Sequence, residues 1–342
     1  MSGWECCSEI VAAAQWDENL ALADDHTVFQ SHGWGEYKRA AGWEPLRYWC
    51  RDKDGRVQGM AQFLLKRLPL GIGLLWAAGG PALVFPSKSQ IQASELLREL
   101  LEVLDKSHPR ALIRFQSHSP HDSALVYDIS KVCHRPAARL NSGFSIRMDL
   151  GSLDEAAFRK QMTSKHRYYT KKAAEAGISW SVGNGDQQLR ELAALHREMV
   201  QAKQLGSIAT SYEELERMRN ALGDHVLIVN GCLNETPLTS CLVLLFGKKA
   251  FYMVASTGEK GRDVSAAYAM VEQLIQRLRE RGISCFDFGG IDPVNKSASG
   301  VNHFKCGFGG QITEYVGEWE SASSRLIQSA LNFAIRKRGG RV

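Results

Sequence analysis

Two glycine-flanked stretches hold the residues best suited to chemistry. Phe286-Asp-Phe-Gly-Gly-Ile-Asp292 reads as a strand ending in Gly289-Gly290, and two residues without a Cβ let a ligand or another backbone approach closely. Asp287 and Asp292 bracket that turn. In Gly300-Val-Asn-His-Phe-Lys-Cys-Gly-Phe-Gly-Gly310, Lys305 lies between Phe304 and a run of glycines. An ammonium there can face a developing oxyanion; the plain alternative is a structural glycine-rich loop with a solvated lysine. His303 beside it reads as a channel wall more readily than as a general base. The segment Lys160–Lys172 gathers Lys165, His166, Arg167, Lys171 and Lys172 around Tyr168 and Tyr169. Charge attraction and ring stacking could bring it to RNA, although basic helix faces are more often simply solvated.

Other reaction classes lack their signatures. The ten histidines form no H-x-x-x-H or H-E-x-x-H pattern, no G-x-S-x-G elbow occurs, and no C-x-x-C pair offers a zinc site. Arg56-Val-Gln-Gly-Met-Ala61 matches the R-x-x-G-x-A pattern of coenzyme A-binding acetyltransferases. Such a loop must open a helix so that N–H groups point at phosphate. Here it runs on into a strand-like stretch, so the match is accidental. The corresponding place before the second long helix, Gly258–Val264, holds Lys260 and Arg262 without the full motif.

The elements that must position these residues recur twice. The first half reads as a strand near Trp4–Ala12, helices near Trp16–Ala23 and Gly33–Ala41, and strands Pro45–Arg51 and Arg56–Lys66 around a two-residue Asp54-Gly55 turn. Strand Gly73–Ala78, an amphipathic helix Ser89–Ser107 and strand Ala111–Gln116 follow. The second half reads as a helix Asp154–Ala176, strand Ile178–Val182, and helices Gln187–Leu205 and Tyr212–Leu222. Strands His225–Cys232, Leu238–Phe246 and Ala250–Ala255, helix Ala266–Arg281 ending at Gly282, and strand Ser284–Phe288 complete it. A meander followed by a strand–helix–strand crossover makes a mixed sheet. The expected class is α/β: two tandem GNAT-like acyltransferase domains, each a mixed, mostly antiparallel sheet flanked by helices. Their expected bounds are 1–145, the acceptor-binding side, and 146–342, the catalytic side.

Composition agrees with a folded, water-exposed chain. Of 342 residues 44% are hydrophobic and 23% charged, enough apolar material for two cores. The net charge of +5 is well short of a dedicated nucleic-acid binder and is compatible with an anionic substrate. The eight cysteines mostly fall in apolar runs, where thiols act as small hydrophobes; a reduced, cytoplasmic setting is expected. No signal peptide or transmembrane segment is expected, though a transient visit to a membrane surface is allowed.

Four segments in order carry a family resemblance. They are Phe29-Gln-Ser-His-Gly-Trp-Gly-Glu-Tyr-Lys38 with Gly42-Trp43, Lys66-Arg67-Leu-Pro69 through Gly79-Gly-Pro81, Phe286–Asp292, and Phe304-Lys-Cys-Gly-Phe-Gly-Gly310 with Glu314-Tyr315. Together they resemble the Fem family of peptidoglycan interpeptide-bridge aminoacyltransferases, from about Val28 to Glu318. The resemblance implies two GNAT-like domains and transfer of an amino acid from aminoacyl-tRNA to a free amine of a cell-wall muropeptide precursor. It implies neither metal nor covalent enzyme intermediate, hence no cofactor. By the same resemblance Lys305 stabilises the oxyanion, Tyr252 lines the substrate channel, and Lys38 with Trp34 helps hold the precursor's diphosphate. Gly289, Gly290, Asp292 and Phe304 are expected in the substrate site; Lys165, Arg167, Lys171 and Lys172 are candidate tRNA contacts. Two departures stand out. The family often carries an arginine before the tyrosine matching Tyr212, where this chain has Ile208-Ala-Thr-Ser211, and the paired-helix arm of some members has no counterpart. Two alternatives stay open: an acyl-coenzyme A-dependent N-acyltransferase acting on an amino sugar or exopolysaccharide, and a catalytically silent binding module on the same scaffold.

Overall fold

The computed structural model describes residues 4–8, 10–85, 92–203 and 210–337. The chain divides into two units, Met1–Phe144 with Thr313–Val342, and Ser145–Ile312. The first holds β1 (Trp4–Ser8), α1 (Ala13–Leu20), α2 (His32–Ala40), β2 (Glu44–Asp52), β3 (Val57–Arg67), β4 (Gly73–Ala78), α3 (Ala93–Ser107), β5 (Ala111–Pro120) and α4 (Ser123–Ser130). The second runs through β6 (Phe144–Asp149), α5 (Glu155–Gln161), α6 (Ser164–Ala174), β7 (Ser179–Gly183), α7 (Asp186–Lys203), α8 (Tyr212–Leu222) and β8 (Val226–Leu233). It continues through β9 (Thr236–Phe246), β10 (Lys249–Thr257), α9 (Glu259–Asp263), α10 (Ala266–Glu280), β11 (Cys285–Ile291) and α11 (Ser299–Cys306). The chain then returns to the first unit as β12 (Gln311–Ala322) and α12 (Arg325–Lys337).

Each unit builds the same sheet. In the first the strand order is β1-β2-β3-β4-β5-β12, antiparallel except for the β4/β5 pair, which α3 joins in parallel. In the second, β7-β8-β9-β10 form the antiparallel meander and α10 carries the chain to β11, parallel to β10, with β6 beyond it. A parallel neighbour needs a crossover, and a helix long enough to span the sheet supplies it. The helices that do so are amphipathic. Leu96, Leu97, Leu100, Leu101 and Leu104 of α3 are buried, as are Met270, Val271, Leu274, Ile275 and Leu278 of α10. Gly282 at φ +71° ends α10, its N–H reaching Arg279 O and the Ile283 N–H reaching Leu278 O.

Several sequence expectations need correction. The second domain does not extend over 146–342: Thr313–Val342 groups with the first unit, because β12 pairs with β5. The helix expected over Asp154–Ala176 is two helices, broken where Thr163 caps α6 through Oγ1 and its own N–H is drawn to Gly307 O at 2.9 Å. The Asp54-Gly55 turn is longer than two residues, since Asp52 accepts N–H bonds from Asp54 and Arg56, and β3 starts only at Val57. Cysteines are not all free thiols. The β1/β2 register sets Cys6 opposite Cys50, and the two form a disulfide. The expected helix starts at Ser89–Ile91, the end at Gln204-Leu205, and Ile208-Ala209 lie outside the described residues.

Candidate active site

The second unit gathers the chemistry around the end of β11. Phe286 and Phe288 share one face of the strand and are fully buried, so Asp287 points the other way. Its Oδ1 accepts the hydroxyl of Ser145 on β6 and the Gly289 N–H, the latter at 2.7 Å. Gly289 sits at φ +73°, and a Cβ there would lie 2.9 Å from Tyr252 O and 3.8 Å from Lys305 Nζ. Only glycine keeps both the conformation and the approach. Lys305 Nζ donates to Gly290 O at 2.8 Å. Burial brings the Lys305 pKa down to about 8, with the Asp287 carboxylate opposing part of that fall. A half-buried ammonium, close to neutralisation, thus faces the Gly289-Gly290 backbone.

The lysine is carried by α11, which pattern reading took for a loop. A helix of eight residues containing Gly300 has little intrinsic stability. Tertiary contacts hold it. His166, fully buried on α6, donates from Nε2 to Phe304 O at 2.9 Å while its Nδ1 takes the Thr163 hydroxyl at 2.8 Å. Burial lowers the His166 pKa, in keeping with a neutral ring in that tautomer. A Cβ on Gly307 would fall 1.9 Å from the His166 ring, so the residue after α11 must be glycine for the clamp to close. Tyr268 and Phe308 pack edge-on to the His166 ring, and Phe304 lies edge-on to both of them. Asp292, nearly buried, caps the following loop through Val294 and Asn295 N–H, and Asn302 of α11 brackets it with two bonds to its backbone.

Lys305, Gly289, Gly290, Asp292 and Phe304 are therefore brought together; of Tyr252 only the carbonyl oxygen approaches Gly289, because its side chain lies on the opposite face of the sheet, with Phe251 on the Asp287 side. The Tyr252 ring packs against Phe286 and Phe288, and desolvation raises its pKa well above the ordinary phenol value. Lys165, Arg167, Lys171 and Lys172 are exposed on α6, opposite His166, Thr170 and Ala173. Three of them are engaged with the protein: Lys172 donates to Asp263 O, Arg167 to Met162 O and Ser164 Oγ, and Lys165 Nζ lies 5.9 Å from the Tyr169 ring centre. His166 itself faces the core, which corrects its place in the RNA-facing group. The residues missed by sequence were Ser145, Thr163, His166, Tyr268 and Asn302. Thr163, three residues before His166, was the one legible signal, as a helix cap.

Trp34 and Lys38 belong to the first unit and lie together on α2. Lys38 Nζ rests 4.7 Å from the Trp34 ring centre and 4.5 Å from that of Tyr37. Trp34 is buried and its indole N–H meets no acceptor among the described residues. Phe29 packs edge-on to both Trp34 and His118, and His118 stacks on Tyr315. The result is an aromatic wall beside an ammonium, suited to an anionic ligand with an apolar portion.

Carboxylates occupy the start of the first crossover helix, α3, and of the short helix α9 that precedes the second. The Ser94 N–H at the start of α3 donates to Asp128 Oδ2 at 2.8 Å, and the Glu259 N–H at the start of α9 donates to Glu198 Oε1 at 2.7 Å. Residues 57–61 lie inside β3, as the sequence indicated. No group of three His, Cys, Asp or Glu among the described residues is placed to hold a metal ion.

Residues 183–336 match the FemAB family. The solved structure of FemX superposes with a TM-score of 0.83 over 95% of this chain and all of that one, at 15% identity. The chain is similar to the Fem-family acyltransferases. A UDP-N-acetylmuramoylpentapeptide-lysine N(6)-alanyltransferase from Weissella viridescens is 23% identical over 82% of this chain and 84% of its own length. A lipid II:glycine glycyltransferase from Staphylococcus aureus is 26% identical over 38% of this chain, a match spanning about a third of that relative. A tandem GNAT protein of the clavulanic acid pathway shares the fold at a TM-score of 0.52 and 14% identity, covering 94% of this chain and 99% of that one. The tandem GNAT-like architecture read from the sequence stands. Among the described residues no helix is long and apolar enough to cross a membrane.

Proposed function

We propose that this chain moves an aminoacyl group from aminoacyl-tRNA to an amine of a peptidoglycan muropeptide precursor. The observation that carries the reading is the Lys305 ammonium held against Gly290 O beside Gly289, whose missing Cβ lets the β10 backbone and the ammonium close in at the strand end. The acceptor nitrogen attacks the ester carbonyl, a C–N bond forms, and negative charge gathers on the former carbonyl oxygen. Lys305 stabilises that oxyanion. Collapse breaks the bond to the ribose oxygen, which leaves with the proton lost by the amine. A cation in a desolvated site is worth far more to such a charge than one in water.

The neighbours have supporting roles. Gly290 offers its backbone to Lys305, Asp292 and Phe304 shape the floor, and Tyr252 supports the site from behind by packing on Phe286 and Phe288. Lys38, backed by Trp34, offers a point charge to the precursor's phosphates. Lys165, Arg167, Lys171 and Lys172 give α6 a positive outer face for tRNA. The carboxylates at the starts of α3 and α9 count against an acyl-coenzyme A donor, because each repels a pyrophosphate where acetylating relatives would seat one. The deciding experiment offers charged tRNA and acyl-coenzyme A separately with muropeptide, and weighs the acceptor by mass spectrometry. Mass gain with charged tRNA alone, abolished by RNase, is expected; gain only with acyl-coenzyme A would overturn the donor assignment.

A further inference from the structure

The net charge of this protein is concentrated in one place. Residues 325–342 contain Arg325, Arg336, Lys337, Arg338 and Arg341 and no acid. Removing those five from the 42 basic residues leaves 37 against 37 acidic ones, so the rest of the chain is balanced. The described part of this segment is α12.

The inward side of that helix mixes Gln328 and Asn332 with half-buried Ile327, Leu331 and Ile335. Its one buried side chain is Asn332, 6% exposed, whose Nδ2 donates to both carboxylate oxygens of buried Glu320 and whose Oδ1 accepts from Ala138 N–H. Gln328 adds a bond to Glu320, and Arg336 reaches Ala137 O. Leu326 and Phe333, one side of the helix two turns apart, are 84% and 60% exposed. Lys337 Nζ lies 5.0 Å from the Phe333 ring centre, and Arg325 is exposed at the other end. Soluble helices seldom leave two large apolar side chains this exposed on one side. An apolar stripe rimmed by cations and free of acids matches the headgroup boundary of an anionic bilayer, where the rings and methyls sink and the lysine stem reaches back to phosphate. RNA would use the charges but not Leu326 and Phe333.

We propose that the outer face of α12 docks this protein on an anionic lipid surface. The proposal stands apart from the role given to Lys305, and its test reads binding alone. Purified full-length protein is sedimented with vesicles of phosphatidylcholine, with or without phosphatidylglycerol. Binding to the anionic vesicles only, weakened by salt, is expected. L326S/F333S should weaken it roughly ten- to hundredfold, and R325Q/K337Q roughly fivefold per charge removed. Both pairs are exposed, so melting temperatures should stay at the wild-type value. Three results would overturn the proposal. One is no preference for anionic vesicles, and another is unchanged binding in both variants. The third is a change of oligomeric state in L326S/F333S without vesicles, which would make a second copy the occupant. Loss of tRNA retention in R325Q/K337Q alone, with no vesicle binding by the wild type, would likewise replace lipid by RNA.

Discussion

The two crossover strands, β5 and β11, occupy the same place in their sheets and have opposite uses. Each carries a charged residue bonded to the strand beside it. In β5 it is Arg114, fully buried, 2.9 Å from the equally buried Glu318 on β12 and bonded to Ala138 O. Glu318 also accepts the N–H groups of Leu140 and Asn141. The charges cancel inside the sheet, and the strand becomes structural. In β11 it is Asp287, which takes a hydroxyl and a backbone N–H and leaves its charge to act on Lys305. Beyond one phenylalanine it is followed by Gly289-Gly290, where β5 has Gln116-Ser117 after Arg114-Phe115. One repeated topology thus yields a filled strand and an open one, and the difference lies in side-chain volume and charge pairing rather than in backbone order.

Four measurements would break or sharpen that contrast. Arg114→Met should cost about 3–5 kcal/mol of stability by stranding the Glu318 carboxylate in the core. Urea unfolding would show it, with turnover per folded molecule unchanged; a loss under 1 kcal/mol would mean the pair is not a structural keystone. Lys305→Met should do the reverse, lowering turnover about 10²–10³-fold with the melting temperature near wild type. Unchanged turnover would remove Lys305 from the mechanism. Gln30 fills the space over Gly80 and bonds Ala78 O, Gln62 O and Gln62 N–H, so Gln30→Ala should cost about 1–3 kcal/mol and leave the second unit's site alone. The smallest effect is in the pH profile. Lys305 is a cation below its pKa of about 8, so turnover should fall about tenfold per unit as pH rises past that value. Asp287→Asn keeps an acceptor for Gly289 but removes the charge that supports the ammonium, and the falling limb should move to lower pH. A limb that stays put would leave Asp287 with a purely structural part.

How much of this was legible follows from the range over which each signal acts. The helices α3 and α10, the meanders and the glycine stops came from periodicity and turn chemistry within a dozen residues. Gly289-Gly290 and Lys305 stood out by type and spacing. By contrast α11 looked like a loop, since the bond that steadies its end comes from His166, 138 residues earlier. His166 in turn looked like one more cation on a basic face, and only its burial shows it to be a neutral clamp.

The sequence by itself determined the order of elements twice over, the strand-end glycines and the excess of positive charge, because these are properties of neighbours along the chain. The tertiary structure alone decided that β12 returns to the first sheet, that Cys6 meets Cys50, and that a lysine loses much of its basicity at the end of α11. Strand pairing and desolvation depend on groups far apart in sequence, so no local pattern encodes them.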